Sequence, residues 1–267
     1  MNNLQKESYG QTLKDVDLRT TIVRRTFSWG SHSLCVDRSE FSLHKFNIQT
    51  QAVLPLRKYS KAVTYYLRSG CVSFLLFEKN EIKRAALGIN DVIDLPGDTP
   101  HAIIGNENSE VFLFGPSTEN LNHLDLPENS SDLKSMANDH KIITTQRRPT
   151  SDFREKYWGT IETIVDGDIA GKKISIRPGG QSSLEYHLHK TEAYYVSSGK
   201  VRVGLRIGRA QNINIDLEQG DVFQVLPGTM HMRMGIEHCE IIEISTKDSD
   251  NDSRLVEDGK SYIHIIE

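Results

Sequence analysis

The sequence is short of several features that announce large classes of protein. Its three cysteines, Cys35, Cys71 and Cys239, are odd in number, far apart and set in apolar or strand-like surroundings, without Cys-x-x-Cys spacing. They read as reduced structural thiols rather than as a disulfide framework or a thiolate metal site. No stretch approaches the roughly 18 consecutive apolar residues that span a bilayer. The N-terminal segment MNNLQKESYGQTLKDVDLRT has no apolar core of the kind a signal peptide carries. A soluble, cytoplasmic protein is the expectation. Charge of one sign is lacking too: 32 Lys and Arg stand against 36 Asp and Glu, a formal net charge of −4, which gives no electrostatic reason to expect nucleic acid or an anionic membrane as partner. The Gly-Gly pair at 179–180 is not followed by a helix, so no phosphate-cradling nucleotide motif is present. The run DSDND (Asp248, Asp250, Asp252) begins like a calcium loop, but Ser253 stands where the turn needs Gly and Gly259 where a bidentate Glu is required.

Helical periodicity is scarce as well, apart from a short helix expected near Asp132. What the sequence has in quantity is short segments rich in Val, Ile, Tyr, Phe and Thr, separated by Gly, Asn, Asp and Pro, which is the pattern of many closely spaced β-strands. With 37% hydrophobic residues, nine Phe and nine Tyr in 267 residues, there is material for packed cores. The expected class is all-β, a sandwich or barrel rather than a βαβ sheet. Between about 121 and 150 the composition turns to Asn, Ser, Asp, Glu, Lys and Arg. This predicts a linker between an N-terminal domain over 1–120 and a C-terminal domain over 151–267, each long enough to close one small barrel.

The two halves repeat one another. VTYYLRSGCVSFLL and NDVIDLPGDTPH in the first correspond to EAYYVSSGKVRVGL and GDVFQVLPGTMH in the second. Each pair runs from an aromatic strand to a glycine turn (Gly70, Gly199), then to an acidic residue entering a strand (Asp91, Asp221) and a Pro-Gly turn leading to a histidine (His101, His231). From the turn glycine to the proline the spacing is 26 residues in one half and 28 in the other, and order and spacing together indicate a duplicated domain.

Chemistry concentrates in the second half. In LEYHLHKTEAYY, His187 and His189 stand two apart, so on a strand both imidazoles face one side. A turn at Lys190-Thr191 would bring Glu192 to them, and His231 follows the Pro227-Gly228 turn. Three imidazoles and one carboxylate suit a divalent transition ion such as Zn, Mn, Fe or Ni, with one or two positions left for water or substrate. The alternative is a set of ordinary polar strand residues facing solvent.

These residues resemble the cupin superfamily of small double-stranded β-helix (jelly-roll) barrels. The first cupin motif maps onto Gly180, His187, His189, Glu192 and Gly199, and the second onto Gly220, Pro227, Gly228 and His231. The resemblance implies two tandem cupin barrels, with His187, His189, Glu192 and His231 as the metal ligands. Over roughly 155–260 the chain is also similar to the cupin domain of type II mannose-6-phosphate isomerases, through Tyr157-Trp158-Gly159, HLHKTEAYY and PGTMH. It departs from that group at Glu185, Lys190 and Tyr194, which replace Gln, Arg and His beside the metal positions. In the first half, counting back from Gly70 places Lys58, Ser60 and Val63 at the ligand positions, so only His101 remains and no divalent ion is expected there. That barrel then serves as packing partner or lid, or Arg57 and Lys58 hold a substrate anion.

The resemblance implies a metal-dependent isomerase or epimerase acting on a sugar or sugar phosphate. The alternatives are an Fe(II)-dependent dioxygenase of the bicupin type and a non-catalytic carbohydrate-binding protein. For aldose–ketose chemistry, strand alternation puts Glu185 on the face of His187, making it the candidate base, with Lys190 as its partner; bracing a metal ligand is the competing role for Glu185. Arg177 and Arg233 are candidates to grip a phosphate bidentately, and Tyr186 and Tyr194 to contact the substrate. Pairing through edge strands into a homodimer is the expected assembly.

Overall fold

The computed structural model describes residues 22–78, 81–121, 123–125, 133–135, 147–206, 213–249 and 251–260. The first half contains β1 (Val23–Phe27), β2 (Gly30–Asp37), β3 (Ser42–Ile48), β4 (Val53–Tyr59), β5 (Val63–Ser69), β6 (Val72–Glu78), β7 (Glu81–Leu87), β8 (Asp91–Leu95), β9 (His101–Gly105) and β10 (Ser109–Gly115). The short helix α1 (Thr118–Leu121) follows, with β11 (His123–Asp125) and β12 (Arg147–Pro149) after it. The second half contains β13 (Ser151–Lys156), β14 (Gly159–Val165), β15 (Ile169–Ile176), β16 (Leu184–His187), β17 (Glu192–Ser198) and β18 (Lys200–Arg206). It continues through β19 (Ile213–Glu218), β20 (Val222–Val225), β21 (Met230–Gly235), β22 (Cys239–Thr246) and β23 (Ser253–Glu257).

Each half folds two sheets against one another. In the first half their orders are β1-β2-β3-β10-β5-β8-β12 and β11-β4-β9-β6-β7; in the second they are β13-β14-β15-β22-β17-β20 and, read from the same edge, β23-β16-β21-β18-β19. The orders match strand for strand, and β12 is the one strand without a counterpart among the described residues. The register repeats as well: Gly30 faces Ile48 across the first hairpin of one barrel, and Gly159 faces Ile176 in the other. Both glycines are obligatory, because a Cβ on either would lie within 2 Å of the carbonyl oxygen of Asn47 or Ser175. The architecture is all-β, two tandem cupin-type barrels.

Of the segment expected as a linker, the ends are strands of the N-terminal barrel, since β11 pairs with β4 and β12 with β8. Residues 126–132 and 136–146 lie outside the described residues, as do the N-terminal stretch to 21, Asp132 and Asp250. Among the described residues no helix is long and apolar enough to cross a membrane.

Apolar alternation on the strands produces a separate core inside each barrel. Trp29, Phe46, Tyr65 and Phe74 fill the first, and Trp158, Ile176, Tyr194 and Phe223 the second. A third core joins the barrels: Phe41, Tyr66, Phe112 and Phe114 from one pack with Ala193, Tyr195, Ile242 and Ile244 from the other. Polar contacts flank that seam. Lys45 donates to the Tyr195 hydroxyl at 2.7 Å, and Arg68 reaches Glu240 at 2.6 Å. Cys35 lies in the same core, and burial pushes its thiol up to about 12; Cys239 is raised to about 11 by the same cause. Neither is a reactive thiolate at neutral pH.

Phe112 is fully buried and its ring lies 5.5 Å from that of Tyr195 across the seam. Phe112→Ala is expected to remove about 3–5 kcal/mol of stability in denaturant unfolding monitored by circular dichroism. A loss below about 1 kcal/mol, the scale of an ordinary surface change, would show that the barrels do not rely on this seam.

Candidate active site

The mouth of the C-terminal barrel holds a cavity of about 320 Å³ whose walls carry Glu185, His187, Lys190, Glu192, Arg233, Glu243 and Asp248. Strand geometry explains the arrangement. Glu185 and His187 are alternate residues of β16 and share its inner face, and register sets Glu185 directly opposite His231 on β21. Glu185, His187 and His231 bring one ligand atom each within 4.8 Å of one another, a group able to hold a metal ion. Glu192, first residue of β17, lies between the two imidazoles: its carboxylate oxygens are 3.3 Å from His187 Nε2 and 3.2 Å from His231 Nε2.

His189 is not brought to this group. β16 ends at His187, so alternation does not carry on to His189, which is exposed. The chain turns there because the Asp252 carboxylate accepts the backbone N–H groups of His189 and Lys190, both at 2.9 Å. That turn directs Lys190 inward. Its ammonium is buried and lies 2.7 Å from Glu192, 3.0 Å from Glu243 and 2.9 Å from Asp248.

The electrostatics follow from this packing. Burial disfavours the charged form of Lys190, but the three carboxylates outweigh it and raise its affinity for the proton. Lys190 is therefore a fixed cation at neutral pH and not a proton acceptor. Burial likewise opposes ionisation of Glu192, and Lys190 with the two imidazoles overcomes it, holding Glu192 well below the usual carboxylate range. The Tyr194 hydroxyl donates to Glu192 Oε2 at 2.5 Å, and burial keeps that phenol protonated. His187 is raised despite its burial because it faces Glu192. Asp248 is lowered to about 2: burial opposes this, and Lys190 and Lys172 impose it.

The remaining residues singled out by sequence divide between cavity and surroundings. Arg233 is buried, reaches Glu185 at 3.1 Å and Glu243 at 3.5 Å, and lies 5.2 Å over the Tyr194 ring. Arg177 is exposed and donates to the carbonyls of Lys156 and Tyr157, so it braces the turn before Trp158 rather than facing the cavity. Tyr186 points to the other face of β16 from Glu185 and His187. Glu243, Lys172, Arg154 and Lys156 of the cavity went unread in the sequence, and Asp248 was read only as the start of a failed calcium loop. For Glu243 a signal existed, an acidic residue inside the apolar strand IIEIS, where a charge survives only with a partner.

In the N-terminal barrel the position of His231 is taken by His101, whose ring nitrogens meet the Tyr65 hydroxyl at 2.8 Å and the Thr99 carbonyl at 2.9 Å. Lys58 points outward to Asp98 at 3.1 Å.

Asp248 supplies a pH test. Its depressed folded value against an ordinary aspartate contributes stability that is present above about pH 4 and lost as pH falls towards 2. Asp248→Asn is expected to cost on the order of 1–2 kcal/mol at pH 7 and to flatten the acid limb between about pH 4 and 2. An unchanged acid limb would show that Asp248 is not tied to the two lysines in solution.

Comparison with known proteins bears on this geometry. Residues 162–264 match the profile of the cupin family, described as Cupin. No curated protein matches the chain. Solved structures of oxalate decarboxylase are similar in fold. The Bacillus subtilis enzyme at pH 4.6 is 16% identical with a TM-score of 0.70, the match covering 90% of this chain and 78% of that one. A structure concerned with the Mn(II) centres of the Bacillus subtilis enzyme is 14% identical with a TM-score of 0.68, covering 90% and 79%. At these identities the likeness is one of fold, two barrels in tandem.

Proposed function

We propose that this pair of cupin barrels is a metal-dependent enzyme with its active site in the C-terminal barrel, and that it isomerises or epimerises a small sugar or sugar phosphate. The observation that carries the reading is the convergence of Glu185, His187 and His231, with Glu192 beside them; Glu185, His187 and Glu192 line a polar cavity and His231 lies buried behind it. The donor set fits a divalent transition ion. His187 and His231 both turn Nε2 toward Glu192, at 3.3 and 3.2 Å, and the Nδ1 of His231 is occupied by the Thr229 carbonyl at 3.0 Å, which holds that ring orientation. Charge agrees as well: within the network, Glu185, Glu192, Glu243 and Asp248 face Lys172, Lys190 and Arg233, leaving an excess of one negative charge.

When bound, such an ion supplies Lewis acidity towards a substrate's carbonyl and hydroxyl oxygens. The chain's own residues do the rest. Glu192 is locked by Lys190 and Tyr194 and serves as a fixed negative charge between the imidazoles. With His187, His231 and Glu192 as the residues that would hold the ion, Glu185 is left to line the cavity, oriented by Arg233 and by the Ser253 hydroxyl at 3.0 Å, and is the carboxylate that takes a proton from the substrate carbon and returns it to the neighbouring one. Arg154 and Lys156 stand at the cavity wall, placed for an anionic end of the substrate. Oxalate decarboxylase is similar in fold alone, at 14–16% identity, so its reaction is not carried over.

Elemental analysis of the purified protein, followed by incubation with aldose and ketose phosphates in D2O, tests the reading. Bound transition metal and one deuterium at the carbon next to the carbonyl are expected, with no oxygen uptake. Oxygen consumption coupled to product, or metal-loaded protein that exchanges no substrate hydrogen, would overturn it. His187→Ala and His231→Ala are each expected to lower metal affinity by tenfold or more, on the scale at which even outer partners of a ligand act, whereas His189→Ala leaves it unchanged.

A further inference from the structure

The larger sheet of the C-terminal barrel carries its inner face past the cavity. One cross-strand row runs through Ser151, Thr163, Lys172, Glu243 and Tyr194, on β13, β14, β15, β22 and β17, so these side chains share a face. Glu243 and Lys172 belong to the cavity already described, whereas Lys172, Thr163 and Ser151 line a groove of about 460 Å³. Arg154, Lys172, Asp248 and Ser249 line both. Groove and cavity therefore adjoin, and the Lys172–Asp248 ion pair, at 2.5 Å, stands at their common border.

The duplicated barrel serves as the control. Its equivalent row runs through Val23, Leu34, His44, Leu113 and Tyr65. The register of the facing sheet repeats too: Glu185 faces His231, and Arg57, turned inward over the Phe46 ring by a bulge after Leu54, faces His101. Val23 and Leu34 line a cavity in which Phe27 stacks on Trp29 at 4.9 Å. In the C-terminal barrel Ser151 and Thr163 put hydroxyls where those hydrocarbons stand, and β13 gains a residue. Two steps separate Val23 from Arg25, and three separate Ser151 from its counterpart Arg154. Asp152 takes up the bulge with a φ of 46°, a left-handed conformation that Asp tolerates better than most side chains, and its carboxylate returns to Arg154 at 3.1 Å.

Each cation of the groove thus faces a carboxylate, Arg154 with Asp152 and Lys172 with Asp248, and Asp166 adds a further negative charge. Acceptors, donors and hydroxyls without net positive charge disfavour an anion and suit a neutral ring bearing several hydroxyls. Lys156, which lines the cavity and not the groove, marks the side for an anionic end. At about 320 Å³ the cavity lies near the lower bound for a small-ligand site, about 300 Å³, which suits the reacting sugar alone. The groove is the room for a second unit.

We propose, resting on the sugar-isomerase reading above, that the substrate is of disaccharide size: its reacting unit lies in the cavity and a neutral second glycosyl unit lies in the groove over Ser151, Thr163 and Asp166. Calorimetric titration of the full-length, metal-loaded protein with mannose and glucose, and with mannobiose, maltose and cellobiose, tests it. At least one disaccharide is expected to bind about tenfold or more tightly than its parent monosaccharide, the worth of about two net hydrogen bonds. Ser151 and Asp166 are exposed and line the groove without lining the cavity. Ser151→Trp fills the groove and is expected to bring the disaccharide down to the affinity of its monosaccharide. Asp166→Ala is expected to weaken the disaccharide about threefold, one lost hydrogen bond, and serves if the first variant fails to fold. Equal binding of mono- and disaccharides, or a preference that survives both substitutions, would overturn the proposal. Binding is read here rather than turnover, so the two readings fail separately. A disaccharide preference without hydrogen exchange in D2O removes the isomerase and keeps the groove; exchange on a monosaccharide without any disaccharide preference removes the groove and keeps the isomerase.

Discussion

A single buried ammonium organises the C-terminal site. Lys190 sits among Glu192, Glu243 and Asp248, and each of these carboxylates belongs to a different part of the chain: the start of β17, the middle of β22 and the loop after it. A cation that far from water requires carboxylates in close contact, and the buried Glu192 requires it in turn; Glu243 is shared with Arg233 and Asp248 with Lys172. The pairing keeps Glu192 ionised between two imidazoles and leaves Arg233 to orient Glu185 at the wall. The cavity therefore has fixed charges and fixed orientations before any substrate enters, which is the condition for electrostatic stabilisation without reorganisation.

Duplication and divergence account for the rest of the molecule. The same strand order and the same hairpin register were used twice, and the two barrels share an aromatic seam that neither could expose to water without cost. The difference in chemistry lies in the side chains at the mouths. In one barrel the inward positions carry carboxylates and imidazoles; in the other they carry a guanidinium, stacked aromatics and His101 tied to Tyr65. Sequence change at a handful of inward positions altered the chemistry while the glycines at 30 and 159 and the apolar alternation kept the frame.

Much of this was legible in the sequence, for reasons that can be named. Strands and turns are local and periodic, and the repeat of aromatic strand, glycine turn and Pro-Gly-x-x-His was readable because duplication preserved both order and spacing. His187, Glu192 and His231 were readable as a constellation, and Glu185 from alternation with His187. His189 was read with them because two-residue periodicity assumes that the strand continues. What ends β16 is a carboxylate 63 residues away in the chain, Asp252, capturing the His189 amide, and no local pattern shows that contact. Lys190 was read as a participant in catalysis for the same reason: its three carboxylate partners become neighbours only once β17 and β22 pair. The inward turn of Arg57 was hidden by a bulge that shifts register by a step the linear count does not contain.

The central claim is that one ion is held in the C-terminal barrel by His187 and His231 with their flanking carboxylates, beside a Lys190 that stays on Glu192. Anomalous diffraction at the absorption edge of the bound metal, from crystals of the full chain, tests it most directly. The account predicts a single peak per chain in contact with His187, His231 and at least one of Glu185 and Glu192, with His189 in solvent. A peak on His189, a peak beside His101 in the N-terminal barrel, or a metal that displaces Lys190 from Glu192 would contradict it.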